Sequence, residues 1–140
     1  MASKTFRKQC AVLAYRKGKR GLKIALVTSL ETHRWVLPKG NLVDGLSARE
    51  SAALEAFEEA GLEGELAKRS IGTYDYRKTE LKGGGLCRVW VYPMAVTRAK
   101  RHWPEKAQRK RRWMDVKAAA AAVDEPELKT LIARFGKRFR

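Results

Sequence analysis

The chain has 140 residues, 44% of them apolar and 9% aromatic, which suits one folded domain over residues 1–140 and excludes a disordered chain. Lys and Arg number 31 against 15 Asp and Glu, a net charge of +16 that points to polyanionic partners without choosing among phosphorylated small molecules, nucleic acid and anionic surfaces. No apolar run nears the roughly 18 residues of a membrane span, and "MASKTFRKQC" lacks a secretory pattern, so a soluble cytoplasmic protein with no membrane partner is expected.

In chain order, "QCAVLAYRKGKRGLKIALVTS" reads as two apolar strands around a basic turn, Arg16 to Gly21. "RWVLPKG" is a short strand stopped by Pro38 and Gly40, and a loop and a helix follow. "AKRSIGTYDYRK" is β-prone, and "TELKGGG" is a loop. "LCRVWVYPMAVTR" is the strongest strand, with Cys87, Val89 and Val91 on one side and Arg88, Trp90 and Tyr92 on the other. A basic loop, "AKRHWPEKAQRKRR", leads to the strand "RWMDV". Two helices close the chain, one Ala-rich and one with Pro126 near its start. This order predicts a mixed sheet covered by helices. Cys10 and Cys87 have no CxxC spacing, which argues against zinc and disulfides and for buried free thiols.

The helix carries the chemistry. Ser47 and Glu50 form a capping box, and Gly61 suits the stop, so the helix is expected over Ala48 to Ala60. Ala53, Leu54 and Phe57 should form its apolar face, and Glu55, Glu58 and Glu59 fall together at i, i+3 and i+4. Three like charges there weaken the helix, whereas a hard cation such as Mg²⁺ turns that repulsion into binding; the competing reading is an ordinary solvated acidic face.

"PKGNLVDGLSARESAALEAFEEAGL" resembles the signature of the Nudix hydrolases: Gly, five residues, Glu, seven residues, Arg-Glu, apolar, any, Glu-Glu, any, Gly, apolar. Gly40 opens the pattern; Glu55, Ala56, Glu58, Glu59, Gly61 and Leu62 fill its second half. Two positions depart, with Leu46 at the first Glu and Leu54 at the Arg. A leucine pair can replace an ion pair at little cost, so Leu46 and Leu54 are expected to touch and brace the loop. The loss of the Arg also leaves Glu55 less firmly aimed.

The resemblance implies an α+β fold of α-β-α sandwich type and Mg²⁺-dependent cleavage of a phosphoanhydride, with Mn²⁺ as the alternative metal. Glu55 and Glu59 would be metal ligands, Glu58 a ligand or the general base, and the backbone at Lys39 and Gly40 a carbonyl ligand, with Gly40 permitting a close turn. Beyond the signature, "RWVLPKG", "CRVWVYPMAVTR" and "WPEKAQRKRRWMDVKAAAAAV" look like the diphosphoinositol polyphosphate phosphohydrolase branch, which also hydrolyses diadenosine polyphosphates. Its substrate-binding positions would be Arg7, Lys8, Lys39, Arg88, Arg109 and Arg111, cations suited to a substrate with many phosphates. Trp35, Trp90 and Trp113 read as core or wall residues, Trp103 as a ligand contact, and His33 and His102 as non-catalytic. An RNA 5′-pyrophosphohydrolase, suited to the +16 charge and the tail "RFGKRFR", ranks second, and a non-cleaving nucleotide- or phosphate-binding module third.

Overall fold

The computed structural model describes residues 5–79 and 83–139. The expected "TELKGGG" loop therefore lies partly outside the described residues, as do the first four residues and the last. The described elements are β1 (Arg7–Gly18), β2 (Gly21–Thr28), β3 (Trp35–Val36), β4 (Lys39–Asn41), α1 (Ala48–Ala60), β5 (Leu62–Leu66), β6 (Gly72–Arg77), β7 (Leu86–Ala99), β8 (Arg111–Asp115), α2 (Val116–Ala122) and α3 (Pro126–Lys137).

β1 is the axis of the molecule. It pairs antiparallel with β2 through a tight turn at Lys19 and Arg20, antiparallel with β4, and parallel with β7 from Arg7↔Cys87 to Tyr15↔Ala95. The sheet runs β3-β2-β1-β7-β5, with β6 also on β7 and β8 also on β2. Parallel and antiparallel ladders thus mix in one sheet, as expected. Because β1 is covered on both faces, its middle reads as an unbroken apolar run rather than an alternating one. Ala11 and Leu13 join Ile24, Leu26, Val89, Val91, Leu128, Ile132 and Phe135 under α2 and α3. Cys10, Val12 and Ala14 join Ala25, Val27, Met94 and the small face of α1 on the opposite side. Helices cover both faces, an α-β-α sandwich. Both cysteines are free and buried. Among the described residues no helix is long and apolar enough to cross a membrane.

α1 begins and ends where the capping residues place it. Ser47 accepts from the Glu50 N–H, Glu50 accepts from the Ser47 N–H at 2.9 Å, and Gly61 closes the helix in the left-handed region at φ 66°. Its buried face differs from the expected Ala53, Leu54 and Phe57. Ala52, Ala56 and Ala60 are fully buried and Leu54 is 37% exposed. Alanines spaced by four let the helix backbone lie close to the sheet, so the larger side chains point elsewhere. The expected Leu46–Leu54 brace is not a buried contact either, since Leu46 is also exposed and neither leucine joins a core cluster. A buried hydrogen-bond partner also holds the loop to α1: the Val43 N–H donates to Ser51 Oγ at 3.0 Å, beside the capping box. β5 was not expected; its Glu63 and Glu65 face solvent and only its two leucines mark it as a strand.

Candidate active site

The glutamate face of α1 meets β4 at one corner of the sandwich. Glu59 is 8% exposed, and its Oε1 accepts a hydrogen bond from the Lys39 N–H at 3.1 Å. Its Oε2 accepts from Arg109 Nη2 at 3.2 Å. Arg109 extends its fork further, from Nε to Glu105 Oε1 at 2.7 Å and from Nη1 to the Thr28 carbonyl at 3.0 Å. One buried guanidinium therefore ties α1, β2 and the β7–β8 loop together. Burial raises the Glu59 carboxyl above the usual carboxylate range, although Arg109 and the Lys39 N–H oppose the rise.

Glu55 stands one turn before Glu59, over Gly40. A Cβ on Gly40 would lie 2.5 Å from both the Glu55 carboxyl carbon and Oε1. Gly40 has no positive φ, so glycine is required there for space and not, as expected from the sequence, for a turn. Burial first, and the neighbouring Glu59 carboxylate next, push the Glu55 carboxyl up to about 8. Glu55 is thus half-buried beside a second carboxylate, and Arg109 is spent on Glu59. Gly40→Ala should leave the circular dichroism spectrum unchanged while displacing Glu55, and should lower Mg²⁺-dependent turnover by about 10²-fold, the scale of an ångström-sized misplacement.

That pair fits a hard divalent cation. The donors are carboxylate oxygens standing over the Gly40 backbone, whose carbonyl accepts from Cys10 Sγ at 3.7 Å, and a cation would offset both the burial and the Glu59 charge that raise Glu55. Among the described residues no three His, Cys, Asp or Glu gather as a complete cage. An incomplete protein set is the ordinary condition for Mg²⁺, which keeps several waters and takes substrate phosphates.

Glu55 and Glu59 sit in a cavity of about 370 Å³ shared with Gly40, Lys39, Arg109 and Arg34. Arg77 and Lys78 of the β6 exit also line it, as does Glu31, so five cations and three carboxylates share the lining. Lys39 lies against the Tyr76 ring, Nζ 4.6 Å from the centroid, and burial lowers its ammonium below the usual lysine value. Tyr76 donates to Gln9 at 2.6 Å, and Gln9 donates to Asn41 at 3.1 Å, closing the floor. Arg34 is anchored from behind by Glu125 at 2.8 Å.

Of the residues expected from the sequence, the structure brings Gly40, Lys39, Glu55, Glu59 and Arg109 to this cavity. Glu58 is half-buried, does not line it, and has no side-chain hydrogen bond or ion pair among the described residues. Arg7, Lys8 and Arg88 lie at the start of the β1–β7 ladder, outside the cavity lining. Arg88 is occupied by a two-point pair with Asp75 at 2.9 and 3.1 Å, and Lys8 rests on Trp90. Arg111 also lies outside: its Nη1 donates to the Ala60 carbonyl at 2.7 Å, satisfying the end of α1. Trp103 is spent within the protein in the same way. Its indole N–H donates to the Glu59 carbonyl at 3.0 Å, and its side chain covers Gly61, where a Cβ would come within 2.9 Å. Arg34, Gln9, Tyr76, Arg77 and Lys78 were missed, since nothing local marks them out in so basic a chain.

The NUDIX domain model matches residues 5–135. The chain belongs to the Nudix family. Among curated Nudix proteins it is 36% identical over 104 residues to Nudix hydrolase 12, mitochondrial, of Arabidopsis thaliana, an alignment covering 70% of this chain and 50% of that protein. The chain thus spans about half the length of that Nudix relative. It is 28% identical over 116 residues to the diphosphoinositol polyphosphate phosphohydrolase 3-beta of Bos taurus, covering 81% of this chain and 67% of the relative. The Nudix fold is shared with the C. elegans Ap4A hydrolase, TM-score 0.66 at 21% identity, over 94% of this chain and 96% of that one. The MutT protein of Methanosarcina mazei shares it at TM-score 0.71 and 16% identity, over 99% and 98%.

Proposed function

We propose that this Nudix chain is a metal-dependent pyrophosphohydrolase that cleaves a phosphoanhydride bond in a highly phosphorylated small molecule, a diphosphoinositol polyphosphate or a diadenosine polyphosphate. The observation that carries the reading is the crowded Glu55–Glu59 pair on Gly40, facing a cavity with five cations. The relatives named for diphosphoinositol polyphosphate and Ap4A hydrolysis support the substrate class.

In this reading Glu55, Glu59 and the Gly40 carbonyl hold Mg²⁺ or Mn²⁺, with Glu58 as a further ligand or as the base that takes a proton from the attacking water. When bound, the cation neutralises phosphate charge and makes a water more acidic. Arg109 and the Lys39 N–H fix the Glu59 carboxylate, so that it does not have to reorganise as charge moves. Lys39, Arg34, Arg77 and Lys78 hold the phosphates of the substrate and the leaving group. Arg34 can do so without moving, because Glu125 already fixes it.

The test is phosphate or pyrophosphate release from a diphosphoinositol polyphosphate, diadenosine polyphosphates, ADP-ribose, nucleoside triphosphates and a 5′-triphosphate RNA, each with Mg²⁺ and with EDTA. Metal-dependent cleavage of the first two supports the proposal. Cleavage of the RNA alone moves the substrate to RNA ends, and silence from a folded protein that still binds Mg²⁺ replaces the enzyme with a binding module.

A further inference from the structure

We propose that the end of the molecule opposite the cavity, where the β1–β2 hairpin tip meets the last turns of α3, is a docking surface for single-stranded nucleic acid. Gln9 of the cavity and Gly18 of the tip are nine residues apart on one strand, a separation of about 30 Å at roughly 3.3 Å per residue. The surface is therefore separate from the proposed phosphoanhydride site and does not depend on that reading.

The surface is held together by aromatic packing. The Tyr15 ring lies 4.9 Å from Phe135 and 5.3 Å from Phe139, joining the hairpin to α3. Exposed cations crowd around this joint: Lys17, Lys19 and Arg20 from the hairpin, and Arg134, Lys137 and Arg138 from the end of α3. None of the six is in an ion pair among the described residues; the pairs there involve Arg34, Arg88 and Arg109. Lys17 and Arg138 rest on aromatic rings instead, 5.3 Å from Phe139 and 5.7 Å from Phe135. A phosphate can take them without breaking a salt bridge. Cations at the C-terminus of α3 also suit the helix dipole, but that reason does not extend to the three on the hairpin.

Two features choose nucleic acid over a membrane. Beside the joint, Arg134 and Arg138 flank a pocket of about 160 Å³ floored by Ile71, Leu131 and the buried Phe135, and two exposed guanidinium planes over an apolar floor suit a stacked base next to its phosphate. A membrane surface would call for exposed apolar side chains among the cations. The exposed large apolar residues, Phe6, Leu30, Leu42, Val43, Leu46 and Leu54, are all elsewhere.

The experiment is fluorescence anisotropy with a labelled oligoribonucleotide carrying a 5′-hydroxyl, which offers no pyrophosphate to the cavity, over a salt series. The triple variant Lys17→Gln, Lys19→Gln, Arg20→Gln is compared with Arg101→Gln, Lys110→Gln, Arg112→Gln, an equal charge loss elsewhere, both checked by melting temperature. Arg134→Gln with Arg138→Gln gives a second reading if the hairpin variant melts early. The expected result is salt-sensitive binding by the wild-type chain that a diadenosine polyphosphate does not displace. The hairpin triple should bind more than tenfold more weakly, with a salt slope shallower by about 2, at roughly 0.7 per phosphate contact. Equal weakening in both triples, binding of anionic phospholipid vesicles but not of the oligoribonucleotide, or no binding by the wild-type chain overturns the proposal.

Discussion

Replacing Glu55 by Gln is expected to lower Mg²⁺-dependent turnover by at least about 10²-fold while making the metal-free protein more stable at neutral pH. The two effects have one cause. In the fold the Glu55 carboxyl is pushed up to about 8 from an ordinary value of 4.5, by burial and by Glu59. The folded chain therefore holds that proton more tightly than the unfolded chain does. The contribution is fully present below pH 4.5 and is lost as pH rises through about 8. At neutral pH most of it is gone, because the unfolded chain has released the proton that the folded site still holds. Discounted for the part of Glu55 that solvent reaches, the loss is about 1 kcal/mol, or a melting shift of about 3 °C. The amide keeps the shape and removes the charge. Calorimetry without metal at pH 5 and pH 7.5 checks it: the Gln variant should gain on the wild type only at the higher pH. A variant that melts lower at both would show that Glu55 is held by favourable contacts and is not a strained ligand.

Arg109→Ala carries the largest expected loss of stability. Its side chain is 8% exposed and serves Glu59, Glu105 and the Thr28 carbonyl at once. Removing it leaves Glu59 buried with only the Lys39 N–H for support, a loss of about 3–5 kcal/mol on the scale of broken buried pairs. The melting temperature should fall by roughly 8–15 °C. Arg109→Lys should recover only part of this, since one ammonium cannot reproduce the three-way fork. Chemical denaturation of the three proteins measures it, and a loss under about 1 kcal/mol for the alanine variant would mean that Glu59 finds another partner.

The two residues also show how far the sequence could be read. Glu55 and Glu59 were visible because caps fix the start and stop of α1, and helix geometry then fixes which side chains meet. The face that α1 buries was not visible. Hydropathy favours Leu54 and Phe57, whereas close approach to the sheet favours Ala52, Ala56 and Ala60, and close approach decided the packing. β5 was hidden because a half-exposed strand with two glutamates reads as a loop. The cations were the hardest to sort. Arg109 and Arg111 are neighbours in one basic run, yet one enters the cavity and the other closes the end of α1. Arg34 stands at the mouth of the cavity because the β2–β3 turn folds it toward Glu125, a contact 91 residues away in sequence. Long-range partners of this kind leave no local signal.

The proposed hydrolysis requires a cation at the corner of Glu55, Glu59 and Gly40. Crystals grown with Mn²⁺ and measured for anomalous scattering would locate it directly. The expected result is a peak bounded by the Glu55 and Glu59 carboxylates and the Gly40 backbone, absent from crystals of the Glu55→Gln variant. A peak elsewhere, or an ordered Mn²⁺-soaked crystal with no peak at this corner, would contradict it.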